Sequence, residues 1–276
     1  MSRIHWVLAL VLATGCATAP PPKPVSPPIP APGTEELWAI YAAAVRTAQY
    51  PVQDHVSTEL VPILRTNPEL RWDQQGRVLM VTWTKKKYYD GKIGQAYTLP
   101  EKPNPVTVWL TAVPYLQEDC RGWNLPPQDL PLRTAQVLGT PPPAEGGNDS
   151  FVQMWVDPRT FFRPCPDPEI TDRECQVSLD GRAVDRSGGC PWSKDQLSGA
   201  FVRVSDEHID WMCANWEGTY KGTNKFPWTA LGYTFDWGDL LHPQGQSEYV
   251  APPGTTVWIE SISSMEEYCE SGTQTP

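Results

Sequence analysis

Residues 106–113 read VTVWLTAV, and along them aliphatic residues alternate with Thr and Trp. A period of two places every second side chain on the same face and is typical of a half-buried β-strand. No repeat of fixed period relates this run to the others of its kind, which argues against propellers and solenoids. We expect strands at residues 77–84, 106–113, 151–156, 200–204, 246–250 and 255–261.

Three other segments have the spacing of an amphipathic helix. The first begins at Thr34, a favourable N-cap, and ends before Pro51. Two more helices are expected over residues 129–139 and 205–218. Together the patterns predict one α+β domain over residues 34–269, with an N-terminal amphipathic helix, an antiparallel or mixed sheet, and long loops held by disulfides.

The first 15 residues, MSRIHWVLALVLATG, have the order of a secretory signal, because an early positive charge precedes a short apolar run. A membrane span would need roughly 20 apolar residues. Residues 13–16, ATGC, resemble the lipobox of bacterial lipoproteins, in which the signal is cut before the cysteine and that cysteine is acylated. The resemblance implies that Cys16 anchors the chain in the cell envelope, and Ala17 in place of Asp implies the outer membrane. An ordinary cleaved signal that leaves a free cysteine is the alternative.

Residues 16–33 continue as a proline-rich segment with eight prolines between Pro20 and Pro32. Because proline fixes φ and lacks an amide donor, we expect an extended stalk that holds the domain roughly 40 Å from the membrane. At the other end, residues 270–276 are expected to form a disordered tail.

Six cysteines remain after the anchor, and an even number in an exported chain indicates disulfides. They are Cys120, Cys165, Cys175, Cys190, Cys213 and Cys269. Their spacing contains no Cys-x-x-Cys pair, so it lacks the signature of a zinc site or of a thioredoxin-like redox site. The pairing stays open, but we favour Cys120 with Cys269, which closes the domain end to end, and Cys175 with Cys190, which closes a polar loop.

The composition narrows the classes of function. With a net charge of −10, 20% charged residues and a mean hydropathy of −0.42, the chain is not a polytopic membrane protein. Nucleic-acid binding is also disfavoured, because it depends on Lys and Arg that neutralise phosphates. The sequence shows no nucleophile elbow, zincin helix, phosphate loop or Rossmann fingerprint, and we expect no cofactor.

Tryptophan gives the strongest indication of a ligand site. Trp109, Trp155 and Trp258 each point to the more hydrophilic side of a predicted strand. If that side is open, the rings form a platform for a sugar or another flat ligand. If helices or loops cover it, the rings are instead a second layer of core, and tryptophan is buried on average.

Two further groups are weaker candidates. Asp167, Glu169, Asp172 and Glu174 crowd a loop and could supply oxygen ligands to Ca²⁺, although the spacing is not that of an EF-hand. A solvated acidic loop is the simpler interpretation.

His208, flanked by Glu207 and Asp210 at a helix start, is the candidate for a general base. Neighbouring residues on a helix do not face each other, and acidic groups favour a helix N-terminus without any catalysis.

The leading hypothesis is therefore a lipid-anchored envelope protein that is not an enzyme and that binds a glycan or an envelope protein. The alternatives are an envelope hydrolase that acts on glycan or peptide in an acidic and aromatic cleft, and a structural subunit of an envelope assembly.

Overall fold

The computed structural model of the chain describes residues 33–144, 146–200, 202–223 and 225–270. The expected signal peptide, Cys16, the stalk up to residue 32 and the tail after residue 270 lie outside these ranges. In the part of the chain that is described, no helix combines the length and the hydropathy of a membrane span.

The domain contains helices, strands and short 3-10 turns in mixed order. The α-helices are α1 (Thr34–Ala48), α2 (Tyr115–Gly122), α3 (Leu130–Val137), α4 (Asp206–Tyr220) and α5 (Met265–Glu270). The strands are β1 (Val78–Thr84), β2 (Ala96–Thr98), β3 (Val108–Ala112), β4 (Ser150–Val156), β5 (Tyr233–Phe235), β6 (Gln244–Ser247), β7 (Tyr249–Ala251) and β8 (Thr256–Ser263). The 3-10 helices are Gln53–His55, Lys86–Tyr88, Pro127–Asp129, Pro158–Thr160 and Lys194–Gly199.

Six strands form one sheet in the order β2-β8-β4-β1-β3-β7, and each neighbouring pair is antiparallel. Strands β5 and β6 form a separate antiparallel pair. The predicted α+β class and the antiparallel alternative for the sheet are thus confirmed.

The sheet has two differently covered faces. One face carries Met80, Met154 and Leu110 and is buried with loop residues such as Ile63 and Leu99, so we call it the loop face. The alternate residues of the same strands point to the opposite face, where helices α2, α3 and α5 cover the middle of the sheet. We call this second side the helix face. It contains all three predicted platform tryptophans.

A second apolar layer lies between α1 and α4. Tyr41 and Ala44 of α1 are buried with Trp216 of α4 and with Trp237 from the loop after β5. The stripe of small and aromatic residues on α1 is what such a layer needs, because it lets two helices bury one continuous apolar surface.

Three cysteine pairs lie at disulfide distance, and one of the two favoured pairings is confirmed. Cys120 pairs with Cys269 across 149 residues and joins α2 to α5. The pairing of Cys175 with Cys190 is wrong. Cys175 pairs with Cys165, and Cys190 pairs with Cys213 of α4. Sequence spacing fails here because α4 brings Cys213 next to Cys190 from 23 residues away.

The strand expected at residues 200–204 is wrong. In the described part of that segment the backbone forms no strand, and Ser205 ends it as the N-cap of α4, where its hydroxyl accepts a hydrogen bond from the His208 amide. The run is short, so capping chemistry outweighs β-propensity. The strand expected at residues 246–250 is divided into β6 and β7 at Glu248.

Candidate ligand-binding site

A cavity of about 820 Å³ opens at the end of the sheet where β1 finishes and β3 begins. Seven of its twenty described lining residues are aromatic: Trp38, Trp83, Tyr88, Tyr89, Tyr97, Trp109 and Phe226. Threonine hydroxyls supply much of the polar lining. The volume lies within the range of small-molecule sites, roughly 300–1,000 Å³. We call this cavity the aromatic pocket.

Strand order places the two tryptophans of the pocket on neighbouring strands, β1 and β3. Val81 of β1 lies opposite Thr111 of β3 in the antiparallel register. The paired register ends there, and two residues further along each strand Trp83 and Trp109 point to the helix face and line both cavities. Alternation along each strand thus gives the face of each tryptophan, and the pairing of β1 with β3 brings the two together.

Trp109 is held by a cluster of other rings. Its ring centroid lies 6.1 Å from that of Trp211 on α4, 6.0 Å from Phe226 and 6.4 Å from Trp228. The contacts with Phe226 and Trp228 are edge-to-face, an arrangement that stabilises aromatic pairs beyond their burial by about 0.5–1.5 kcal/mol. The cluster fixes Trp109 as a rigid wall of the pocket rather than as part of an open platform.

Glu248 is a half-buried acid in contact with the pocket. It lies between β6 and β7, and its backbone amide donates to the carbonyl oxygen of Gly232 at 2.8 Å. The register of β7 with β3, in which Leu110 lies opposite Tyr249, carries Glu248 to a position opposite Thr111 on the helix face. Its side chain lines the aromatic pocket and also a smaller inner cavity of about 80 Å³.

Burial raises the pKa of Glu248 to about 8. Removal of the carboxylate from water is the physical cause, because a charge in a low-dielectric site costs free energy that protonation avoids. Among the described residues, we find no hydrogen bond or ion pair to this carboxyl group.

Two polar atoms near this acid are also without a partner in the described part of the chain. Both Trp83 Nε1 and Thr111 Oγ1 are buried and make no hydrogen bond there. Both residues line the inner cavity together with Glu248. Buried donors are normally paired, so this group of atoms has unused capacity for a ligand or for ordered water.

The structure divides the three platform tryptophans between two places. Trp155 of β4 lies directly opposite Trp258 of β8, but Trp109 lies on β3, beyond β1. Trp258 is 37% exposed, and Trp155 Nε1 donates to Glu260 Oε2 at 2.6 Å. We call Trp155 and Trp258 the open tryptophan pair.

His208 lies away from the aromatic pocket in a mostly apolar setting. Its Nε2 is 2.8 Å from the carbonyl oxygen of Cys165, and its ring stacks near Trp211. Burial lowers the pKa of His208. Because a carbonyl oxygen can only accept, Nε2 carries the proton and donates it in this contact.

The acids beside His208 have other contacts. The Asp210 carboxylate pairs with Lys194 Nζ at 2.8 Å, and Glu207 is an exposed residue of the first helical turn. The lowered pKa of Glu207 follows first from a hydrogen bond to the backbone at the helix start.

The acidic loop is organised by an arginine. Arg163 is fully buried, donates to the Asp172 carboxylate, and also donates to the Glu174 carbonyl oxygen at 3.1 Å. Asp167 is buried nearby, and burial raises its pKa to about 6. Glu169 accepts from the Thr171 hydroxyl at 3.0 Å. Among the described residues, no group of three or more His, Cys, Asp or Glu side chains is arranged to hold a metal ion.

Sequence reasoning missed Glu248 and Trp83. Glu248 is an acid in the middle of the expected strand QSEYV, next to buried Tyr249 and therefore on the opposite face. That position is the feature of the sequence that could have identified it. Trp83 is the second-last residue of the run RVLMVTWT and shares its face with Val81. In both cases the alternation gives the face, but the strand order that joins them comes only from the fold.

Comparisons with known proteins show no relative. The chain matches no protein-family model, and no curated protein or solved structure is significantly similar to it. Its function is therefore inferred from its own residues.

Proposed function

We propose that this chain is a lipid-anchored protein of the bacterial cell envelope, placed at the outer membrane, that binds a small ligand in the aromatic pocket without chemical change. The signal-like residues 1–15 and the lipobox-like Cys16 support the location. In this arrangement α1 is the N-terminal amphipathic helix of the domain and follows the proline stalk.

The aromatic pocket carries the binding part of the proposal. It combines a ligand-sized volume, rigid aromatic walls and buried polar atoms that lack partners among the described residues. Ordinary packing defects are smaller and apolar, whereas binding sites join apolar walls to a few convergent polar groups.

Hydrolysis is a second candidate because Glu248 combines a raised pKa with a position in a cavity, as a general acid requires. Hydrolysis of a glycan by paired carboxylates would need a second acid about 5–10 Å away. Glu248 is the only acidic residue among the described lining residues of the aromatic pocket. Ligand binding, in contrast to hydrolysis, needs no second acid in the pocket.

A neutral dye tests whether the pocket accepts a ligand. Nile red should bind the full-length protein with enhanced fluorescence. Thr107→Trp, which places a large ring at a lining position, should weaken binding at least 10-fold. Thr58→Trp, at an exposed position outside the lining, is the matched control and should bind like wild type. Equal binding by both folded variants would refute the pocket as the site.

Cell fractionation tests the location. The wild-type protein, expressed in a bacterium, should sediment with the outer membrane and carry acyl chains on Cys16 by mass spectrometry. Cys16→Ala should lose both properties. An intact, unmodified leader on the wild-type protein would overturn this part of the proposal.

Turnover tests the hydrolase alternative. If the wild-type protein cleaves envelope glycans or peptides, and Glu248→Gln abolishes the cleavage while leaving Nile red binding intact, the site is catalytic rather than a binding site.

A further inference from the structure

We propose that the ligand of the aromatic pocket carries an ammonium group, which the Glu248 carboxylate pairs with beside the rings of Trp83 and Trp109. This inference rests on the binding function proposed above and names the class of ligand.

The first argument is the charge of the site. Glu248 is an acid that the described part of the protein leaves without a hydrogen bond or an ion pair. An isolated carboxylate away from water is unfavourable, so such a group either keeps a proton or receives a cation. A ligand cation would supply the charge that the protein does not.

The second argument is the chemistry of the walls. An aromatic ring presents a negative face to a cation, and indole presents the strongest one. Trp83 and Trp109 both line the inner cavity that holds Glu248, so two indoles and a carboxyl group share one small space. Aromatic walls combined with a carboxylate are suited to alkylated ammonium groups, because the methyl groups contact the rings while the charge faces the acid.

The charged and titratable groups around Glu248 allow this role. Lys225 is exposed and lines the aromatic pocket but not the inner cavity. Tyr89 and Tyr97 line the aromatic pocket, and Tyr220 of α4 interacts electrostatically with Glu248. Burial raises the pKa of Tyr89 to about 12 and also raises that of Tyr220. Tyr88, at the end of the 3-10 helix that follows β1, is the remaining titratable residue among the described lining residues of the aromatic pocket.

The field of the whole protein favours the same ligand. The formal net charge is −10, which raises the local concentration of cations over that of anions near the surface. An anionic ligand would face both this field and the acid at the floor of the pocket. A neutral ligand can donate a hydrogen bond to Glu248 but cannot neutralise its charge.

Binding of a cation must release a proton when Glu248 is protonated in the free protein. The carboxyl O–H bond breaks, its proton passes to the buffer, and the carboxylate that remains pairs with the ammonium group. Affinity for a cation should therefore rise with pH up to the pKa of about 8 and level off above it.

Choline and 3,3-dimethylbutan-1-ol are suitable probes, because they have the same shape and differ in charge. Calorimetry on the full-length protein should show that affinity for choline rises about 90-fold from pH 6 to pH 9, following the ionised fraction of an acid with a pKa of about 8. At pH 6.5, choline binding should release nearly one proton, as measured in two buffers of different ionisation enthalpy. Affinity for the alcohol should change less than about 3-fold over the same range.

Glu248→Gln keeps the shape of the site and removes its charge. This variant should lose the preference for choline over the alcohol at every pH while remaining folded, as urea denaturation shows. Glu260→Gln, which changes the carboxylate beside the open tryptophan pair, is the matched control and should keep the wild-type preference.

The outcomes separate the two proposals. A preference for choline that depends on Glu248 supports the ammonium ligand. Nile red binding in the pocket with equal or better affinity for the alcohol at pH 9 overturns the ammonium ligand and leaves the binding function standing. If Thr107→Trp binds Nile red as tightly as wild type does, the proposal that the aromatic pocket binds a ligand is refuted. A choline preference that disappears in Glu260→Gln but not in Glu248→Gln also overturns the inference, because it moves the cation to the open tryptophan pair.

Discussion

Tryptophan and glutamate side chains lie together at two places on the helix face, and these two places differ in how far they are covered. In the aromatic pocket, Trp109 is enclosed by Trp211 of α4 and by the loop at Phe226, and the half-buried Glu248 lines the cavity. At the open tryptophan pair, Trp258 is 37% exposed and Glu260 is an exposed residue. The same alternation along a strand therefore gives a pocket wall in one place and a surface in the other. The difference comes from what packs on top.

The largest expected effect concerns the disulfide between the two regions. Cys120–Cys269 ties α2 to α5, and these helices cover the middle of the helix face. Because it closes 149 residues, replacing both cysteines by serine should lower the free energy of unfolding by about 5 kcal/mol on the chain-entropy model. Urea denaturation measures the effect.

The matched control is the short bridge Cys165–Cys175, which spans 10 residues and should cost about 3 kcal/mol when removed in the same way. Equal losses for the two bridges would show that loop length does not set their contribution. In that case the long bridge would not be the main constraint on the helix face.

The second prediction sharpens the contrast between the two tryptophan sites. Trp109→Ala should lower the free energy of unfolding by about 3 kcal/mol, because it removes a ring packed among three others and leaves a cavity. Trp258→Ala should cost less than about 1 kcal/mol, since its ring is partly in water. If the two variants have equal stabilities, the distinction between pocket wall and surface is wrong.

The third prediction uses pH. Glu248 has a folded-state pKa of about 8 against an ordinary value of 4.5, so the folded state binds the proton more tightly than the unfolded state. The stability due to this proton is complete below pH 4.5 and is lost as the pH rises through about 8. Glu248→Gln should therefore be more stable than wild type at pH 8, by roughly 2 kcal/mol after allowance for water in the pocket.

Thermal and urea unfolding of wild type and Glu248→Gln at pH 5 and pH 8 measure this difference. Glu260→Gln serves as the control and should follow the wild-type pH dependence. A Glu248→Gln protein that loses stability in parallel with wild type between these two pH values would show that Glu248 is hydrated and ionised.

The smallest expected effect lies at the open tryptophan pair. Trp155→Phe removes the hydrogen bond from Nε1 to Glu260 Oε2, and because this bond is exposed it should contribute only about 0.5–1 kcal/mol. A loss above about 2 kcal/mol in urea denaturation would mean that this region is packed as tightly as the pocket.

Local pattern predicts much of the sheet and little of the site. The alternation in residues 78–84, 108–112 and 150–156 determines which side chains share a face, and those strands form where they are expected. The short strands β2 and β5 were missed, because three residues carry too little periodicity to be recognised. The strand expected at residues 200–204 was overpredicted, because five residues also carry little periodicity.

The site depends on information that spacing does not contain. Trp83, Trp109 and Glu248 come from three strands, and only the order β1-β3-β7 brings them together. Likewise the partner of Cys190 is set by the position of α4 rather than by distance along the chain. The faces of the three platform tryptophans follow from alternation, but the cover over Trp109 comes from α4 and the loop after it.

Fluorine NMR of the protein labelled with 5-fluorotryptophan tests most directly whether the two regions differ in function. Single Trp→Phe replacements assign the resonances of Trp83, Trp109, Trp155 and Trp258. Titration with choline at pH 9 should shift the Trp83 and Trp109 signals and leave those of Trp155 and Trp258 in place. Shifts confined to Trp155 and Trp258 would contradict the assignment of the aromatic pocket as the ligand site.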